Sequence, residues 1–197
     1  MVFISYLPLL FFASIPFKTI IKWLFPIKTP QQSPHIKSGS HIILFGLIHL
    51  LNFLVGYAGT TITEQLFFYE YPIFNYIGIA MLTIGYFWSF LKQFNPAGNI
   101  TSFILGILVF YNIHFLWIFP IIAMVLIIIT NHIDMGLFLA LLTTYSGIIV
   151  LDLNETFIII HTIIVVLFIL RKNNSLTSFF SSNPKTLIDQ FYNRHPY

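Results

Sequence analysis

The sequence predicts an all-α integral membrane protein of about seven transmembrane helices, with the N-terminus outside and the C-terminus in the cytoplasm. Three observations carry this. Of the 197 residues, 57% are hydrophobic and 8% are charged, against about 25% charged in a soluble domain; lipid has to be the solvent for most of such a surface. The apolar residues gather into stretches of roughly membrane length, parted by short polar breaks. Threaded through those stretches, all nine Lys and Arg land on one face, which is how a membrane protein marks its cytoplasmic side. The pI near 9.1 follows from the same asymmetry and does not call for nucleic acid.

The spans fall near 2–25, 41–59, 72–91, 99–112, 115–130, 135–151 and 154–170. Met1 leads directly into Val2-Phe3-Ile4 with no basic n-region, so the first span is expected to stay rather than be cleaved. Pro16 in the first span and Pro120 in the fifth should kink their helices. The polar breaks are Lys28–Ser40, Thr60–Tyr71, Lys92–Gly98, Asn112–His114, Asn131–Asp134 and Asp152–Glu155. Residues 99–130 would make roughly 48 Å of helix against a hydrocarbon core of about 30 Å, and charge decides how they divide. Two helices here give seven spans and put Lys18, Lys22, Lys28, Lys37, Lys92, Arg171, Lys172, Lys185 and Arg194 together, with Glu64, Glu70, Asp152 and Glu155 opposite and Asp134 and Asp189 inside. One helix would send the four positive charges of the tail to the wrong face. Residues 1–170 are thus read as a transmembrane domain and 171–197 as a cytoplasmic tail. In the tail, Asn183-Pro184 can cap a short helix in the interface, with Leu187, Ile188, Phe191 and Tyr192 on one face; a frayed tail is the alternative.

Three segments at the basic end carry the candidate chemistry. Lys37-Ser38-Gly39-Ser40-His41 enters the second span, where small residues at a helix start offer free N–H groups to a phosphate and Lys37 adds charge. Asn95-Pro96-Ala97-Gly98-Asn99-Ile100-Thr101-Ser102 opens the fourth, and Arg171-Lys172-Asn173-Asn174 follows the last. Together they are expected to line an anion pocket facing the cytoplasm, although each alone is an ordinary cap, turn or stop-transfer anchor. Cysteine is absent, which excludes disulfides, thiolate zinc sites and a Cys nucleophile. The seven histidines show no metal spacing. His49 and His161 lie inside spans, and we expect them in interhelical hydrogen bonds.

With these segments in place, the chain resembles the bacterial acyl-phosphate:glycerol-3-phosphate acyltransferases, the PlsY family, over nearly its whole length. Ala13-Ser14-Ile15-Pro16-Phe17 is similar to the family's G-S-I-P-F. Lys37-Ser38-Gly39-Ser40 stands where the family has G-S-G-N-x-G-A-T-N-x-x-R. Gly85-Tyr86-Phe87-Trp88, followed by Phe90-Leu91-Lys92, looks like G-H-x-F-P-x-F-L-K. Ala97-Gly98-Asn99 lies near G-G-K-G, with Gly106 further on. Thr130-Asn131-His132-Ile133-Asp134 lies where T-R-Y-V-S is expected, and Arg171-Lys172-Asn173-Asn174 where H-R-E-N is expected. The departures are Tyr86 for the motif histidine, Ser40 for the asparagine after S-G, Leu44, Phe45 and Ile48 for T-N and Arg, Asn99 for the glycine-loop lysine, Asn131 for an arginine and Asn173 for the glutamate. A phenol titrates near 10 and is a poor base at neutral pH, and exchanging cations for neutral groups weakens phosphate binding.

The resemblance implies acyl transfer from acyl phosphate to glycerol 3-phosphate in the bacterial inner membrane, with membrane lipids as surroundings, no nucleic acid and no cofactor. It implies Ser38 and His41 at the reaction centre (the substrate's own phosphate being the other source of a base), and Lys37, Gly39, Ser40, Gly98, Asn99, Lys172 and Asn174 as phosphate binders. The lost motif positions support an alternative: a catalytically inactive relative serving as a lipid-binding or scaffolding subunit beside a membrane protein partner. A transporter finds little support, since no inverted repeat is visible.

Overall fold

The structure, a computed structural model, describes residues 6–16, 19–20, 39–67, 72–150 and 154–180, and of 39–42, 44, 67 and 72 the backbone alone. Among these residues there are seven helices of seven or more residues and no strand. They are α1 Leu7–Ala13, α2 Gly39–Phe67, α3 Pro72–Phe87, α4 Ile100–Tyr111, α5 Phe115–Thr130, α6 Ile133–Val150 and α7 Glu155–Phe179. Residues 99–130 are two helices, broken at Asn112–His114, where Asn112 Oδ1 accepts from the His114 N–H at 3.0 Å. The expected interfacial helix of the tail falls outside the described residues.

The chain packs as two units that divide after Phe110. In the first, α1 ends at Ser14 and the Pro16 carbonyl accepts from Thr19 and Ile20, which starts a new turn. Proline has no N–H and its ring clashes with the preceding turn, so the expected kink at Pro16 is a full break. Tyr6 and Leu9 pack on Phe74, Ile77 and Met81 of α3. Further along, a Cβ on Gly85 would come within 2.6 Å of the Leu10 carbonyl oxygen, so α1 and α3 meet backbone to backbone. The same close approach brings α2 to α4: a Cβ on Gly56 would overlap the Phe103 carbonyl, and one on Gly106 the Phe53 carbonyl. Small residues that let helix backbones touch are the usual means of association where lipid removes the hydrophobic drive. The pairings Tyr6–Phe74 and Ser14–Gly85 run in one sense, as do Asn52–Gly98 and Tyr57–Phe110. Hence α1 lies parallel to α3 and α2 parallel to α4, as in a chain that crosses back and forth.

In the second unit a two-residue turn joins α5 to α6. Asn131 takes the left-handed conformation (φ 50°), and Gly136 lies so close to Ile127 that no side chain fits. α6 and α7 are antiparallel: His161 of α7 bonds the Leu141 carbonyl through Nε2 (3.0 Å) and lies 3.5 Å from Thr144 Oγ1, while Lys172 pairs with Asp134 at the other end. Tyr111 stacks on Phe157, and Phe115 meets that ring edge-on.

Two features suit a lipid solvent. Buried hydroxyls of Thr60, Thr63, Thr83 and Thr144 each bond the carbonyl four residues back, so no polar group of theirs needs water. Trp117, Ile121, Ile128 and Ile129 of α5 face outward, an apolar surface that water would penalise. α2 and α6 contain apolar runs, Phe45–Leu66 and Ile133–Val150, long enough to cross a bilayer, and the helices between them are shorter.

Candidate functional site

The polar centre of the first unit is built on the loop from α3 to α4. α3 ends at Phe87, and the chain makes a short 3-10 turn over Phe90–Lys92 and reverses through Gln93 and Phe94, both left-handed (φ 52° and 64°). That conformation is uncommon for residues with a Cβ and bulky side chains, so the loop is held against its local preference. Its clamps are visible. Ser89 exchanges backbone bonds with Phe94 and Asn95, and its Oγ donates to the Ser14 carbonyl at 2.6 Å. The Ser14 hydroxyl in turn lies within reach of the Gly85 (3.0 Å) and Leu10 (2.8 Å) carbonyls. The serine of Ala13-Ser14-Ile15-Pro16-Phe17 thus ties the end of α1 to the loop.

Past the turn, the Ala97 N–H bonds the Tyr86 carbonyl (2.9 Å) and the chain passes Gly98 with no room to spare. A Cβ there would overlap Asn52 Oδ1 and come within 2.6 Å of Tyr86 Oη. Under the glycine, the buried Tyr86 hydroxyl donates to Asn52 Oδ1 at 2.5 Å, with the Asn99 carbonyl a second acceptor at 3.2 Å. Asn52 Nδ2 is satisfied by the Ile48 carbonyl (2.6 Å). The Tyr86 ring stacks on Phe103, centroids 4.0 Å apart and nearly coplanar. Asn99 caps α4 with its Oδ1 on the Ser102 N–H (3.1 Å), which leaves the Ile100 and Thr101 N–H groups without partners inside the helix. One turn away, His49 Nδ1 and Ser102 Oγ are 2.7 Å apart. Both are half-buried, whereas Asn52 and Tyr86 are sealed at 1% and 0% exposure.

The residues singled out from sequence are placed as follows. Gly98 and Asn99 form the tight passage and the cap of α4. Lys37 and Ser38 lie outside the described residues. Gly39, Ser40 and His41 are the first residues of α2, and at 1.5 Å per residue the backbone of His41 sits about 16 Å along the axis from Asn52. The α2 side chain that meets Gly98 is Asn52, and one turn away His49 meets Ser102 of α4. In the second unit, Lys172 and Asn174 lie on α7, which continues to Phe179, so the Arg171–Asn174 segment is helical rather than a loop. Lys172 Nζ is 3.2 Å from Asp134 Oδ1, and Ser175 Oγ donates to Asp134 Oδ2 at 2.6 Å; Asn174 is exposed. The expected interhelical hydrogen bonds of His49 and His161 are present. No group of three metal-ligating side chains occurs among the described residues.

These helices, their outward apolar faces and their back-bonded buried threonines define a polytopic α-helical membrane protein with a polar cluster in its first unit. Its fold is similar to that of a solved membrane enzyme. The chain is similar to the crystal structures of PlsY (YgiH), an integral membrane glycerol 3-phosphate acyltransferase. In the glycerol 3-phosphate form the TM-score is 0.66, over 92% of this chain and 95% of that one. In the lysophosphatidic acid form it is 0.67, over 95% and 99%. Identity is 14% in both, so the likeness is one of fold. No protein-family profile and no curated protein sequence matches the chain.

Proposed function

We propose that this protein is a diverged membrane acyltransferase of phospholipid biosynthesis, moving an acyl chain from acyl phosphate to the 1-hydroxyl of glycerol 3-phosphate in a bacterial inner membrane. The supporting observation is a PlsY-like fold along nearly the full length of both chains. In this reading the basic end faces the cytoplasm, the C-terminus lies there and the N-terminus lies outside. Ser38 and His41 act at the reaction centre. Lys37, Gly39, Ser40, Gly98, Asn99, Lys172 and Asn174 are the candidate phosphate binders. The test is acyl transfer by purified protein from acyl phosphates of several chain lengths to glycerol 3-phosphate, read as lysophosphatidate. We expect turnover, and a loss of about tenfold or more with Ser38→Ala. Absence of turnover with every donor refutes the reading.

A second reading, a catalytically inactive relative that binds lipid or scaffolds a partner, draws on two observations. Tyr86, at the motif-histidine position, is sealed into its bond with Asn52, and Lys172 is engaged by Asp134. It predicts a membrane protein that copurifies stably and a Ser38→Ala variant with unchanged function. Growth of an acyltransferase-deficient strain restored by this chain excludes it.

A further inference from the structure

We infer that the loop from α3 to α4 is sunk into the bilayer, with Phe90, Leu91 and Phe94 among the acyl chains and Lys92 at the headgroup phosphates. Phe90, Leu91 and Phe94 are 50%, 58% and 58% exposed, and the two rings meet edge-on with centroids 5.4 Å apart. They form one outward apolar patch at the tip of the loop.

The flanking helices set its depth. α3 has 16 residues and α4 has 12, about 24 Å and 18 Å of helix against a hydrocarbon core of about 30 Å. Glu70 lies just before α3 in sequence, and a carboxylate stays out of hydrocarbon. α3 therefore starts at one boundary and ends about 6 Å short of the other, and tilt would widen the gap. α4 covers less depth still, so the loop completes the crossing instead of beginning at the membrane surface. Backbone below that surface has to satisfy itself, and this loop does. The N–H groups of Ser89, Lys92, Gln93, Phe94, Asn95 and Ala97 are all bonded to carbonyls of residues 86–95, and Pro96 has none to satisfy.

Three observations choose lipid over water or a protein partner. Gln93 and Phe94 are held left-handed, at φ 52° and 64°. A turn in water takes Gly or Asn at such positions; here a phenylalanine ring is turned outward, which is favourable in apolar surroundings. The patch is also edged by polar groups. Gln93 and Asn95 are exposed, and Lys92 adds a cation, its Nζ 3.4 Å from the Pro96 carbonyl. Apolar side chains beside a lysine whose stem can follow them suit the boundary between acyl chains and headgroups. Finally, three half-exposed side chains offer on the order of 300 Å², against about 800 Å² per partner in a stable protein interface.

The experiment uses the full chain, which has no cysteine, as the Leu91→Cys variant carrying an environment-sensitive fluorophore. It is reconstituted in vesicles of phosphatidylcholine and phosphatidylglycerol. Lipids brominated on the acyl chains should cut the emission about twofold or more, as they should for Trp117→Cys in α5, where the native side chain is 70% exposed. Aqueous iodide should leave it unchanged. Adding Phe90→Ser and Phe94→Asn to Leu91→Cys should bring the probe within reach of iodide; if it does not, the two rings are not the anchor and the assignment fails. Quenching of the Leu91→Cys probe by iodide and not by brominated lipid places the tip in water and overturns the inference. Quenching by neither means that protein covers the patch, and overturns it too. No readout involves acyl transfer, so each result stands apart from the function proposed above.

Discussion

Replacing Tyr86 by Phe tests whether the loop after α3 is held by one hydroxyl. The ring stays where it is, since its stacking on Phe103 does not involve the oxygen, so no cavity larger than one atom opens. What changes is Asn52. Its Oδ1 loses a 2.5 Å bond in a place closed to solvent, and its amide nitrogen is already committed to Ile48. An orphaned buried acceptor costs about 1–3 kcal/mol, and a chain of this size loses about 2–4 °C of Tm per kcal/mol. Thermal unfolding in detergent should therefore fall by roughly 2–12 °C. Asn52→Ala leaves the tyrosine proton the Asn99 carbonyl at 3.2 Å, so the two changes should not add. The double-mutant cycle should show a coupling of about 1 kcal/mol or more. Additivity to within about 0.5 kcal/mol would refute the argument.

Other consequences can be checked as directly. Gly106→Val drives a side chain into the Phe53 carbonyl and toward the Tyr57 N–H (2.8 Å from the Cβ position), and should cost about 1–3 kcal/mol or more. Gly46→Ala, with nothing within 4 Å, should be neutral or stabilising by up to about 1 kcal/mol; paired melting curves compare them. Lys172→Ala leaves Asp134 buried with only part of its compensation and should lower stability by about 1–3 kcal/mol, much of it recovered in Lys172→Ala with Asp134→Asn. A cysteine at the exposed position 173 should react with a membrane-impermeant thiol reagent only after cells are opened, if the C-terminus is cytoplasmic; reaction in intact cells reverses the orientation.

Much of the helical plan was legible because lipid leaves few choices. Apolar runs broken at Asn112–His114 and Asn131–Asp134 could only be helices joined by short turns, the second turn proving shorter because the next helix starts at Ile133, and the charge pattern divided 99–130 as the structure does. Pro16 announced an interruption, and its position after Ser14 made it complete. The far end of α7 was harder. Arg171-Lys172-Asn173-Asn174 reads as an exit from the membrane, but Leu176 is buried and Lys172 and Ser175 are gathered by Asp134, a distant residue in sequence that no local pattern connects to them. The polar cluster was hidden for the same reason. Tyr86 looked like a histidine lost, while its partner Asn52, 34 residues away in an apolar run, carried no motif. Ser102 stood inside the quoted loop without distinction until His49 was found beside it. Gly98 was noticed as a phosphate-loop glycine; its close seat on Asn52 adds a steric reason that spacing cannot show.

The meeting of α2 and α4 at Gly56 and Gly106 has a bearing on which changes the fold tolerates. A crossing pinned by two missing side chains makes no demand on the identity of the neighbours, provided the two vacancies persist. Residues around it can change their chemistry without prising the helices apart, so long as nothing fills the two contacts. Shape built on such a pin depends on two small positions more than on the lettering around them.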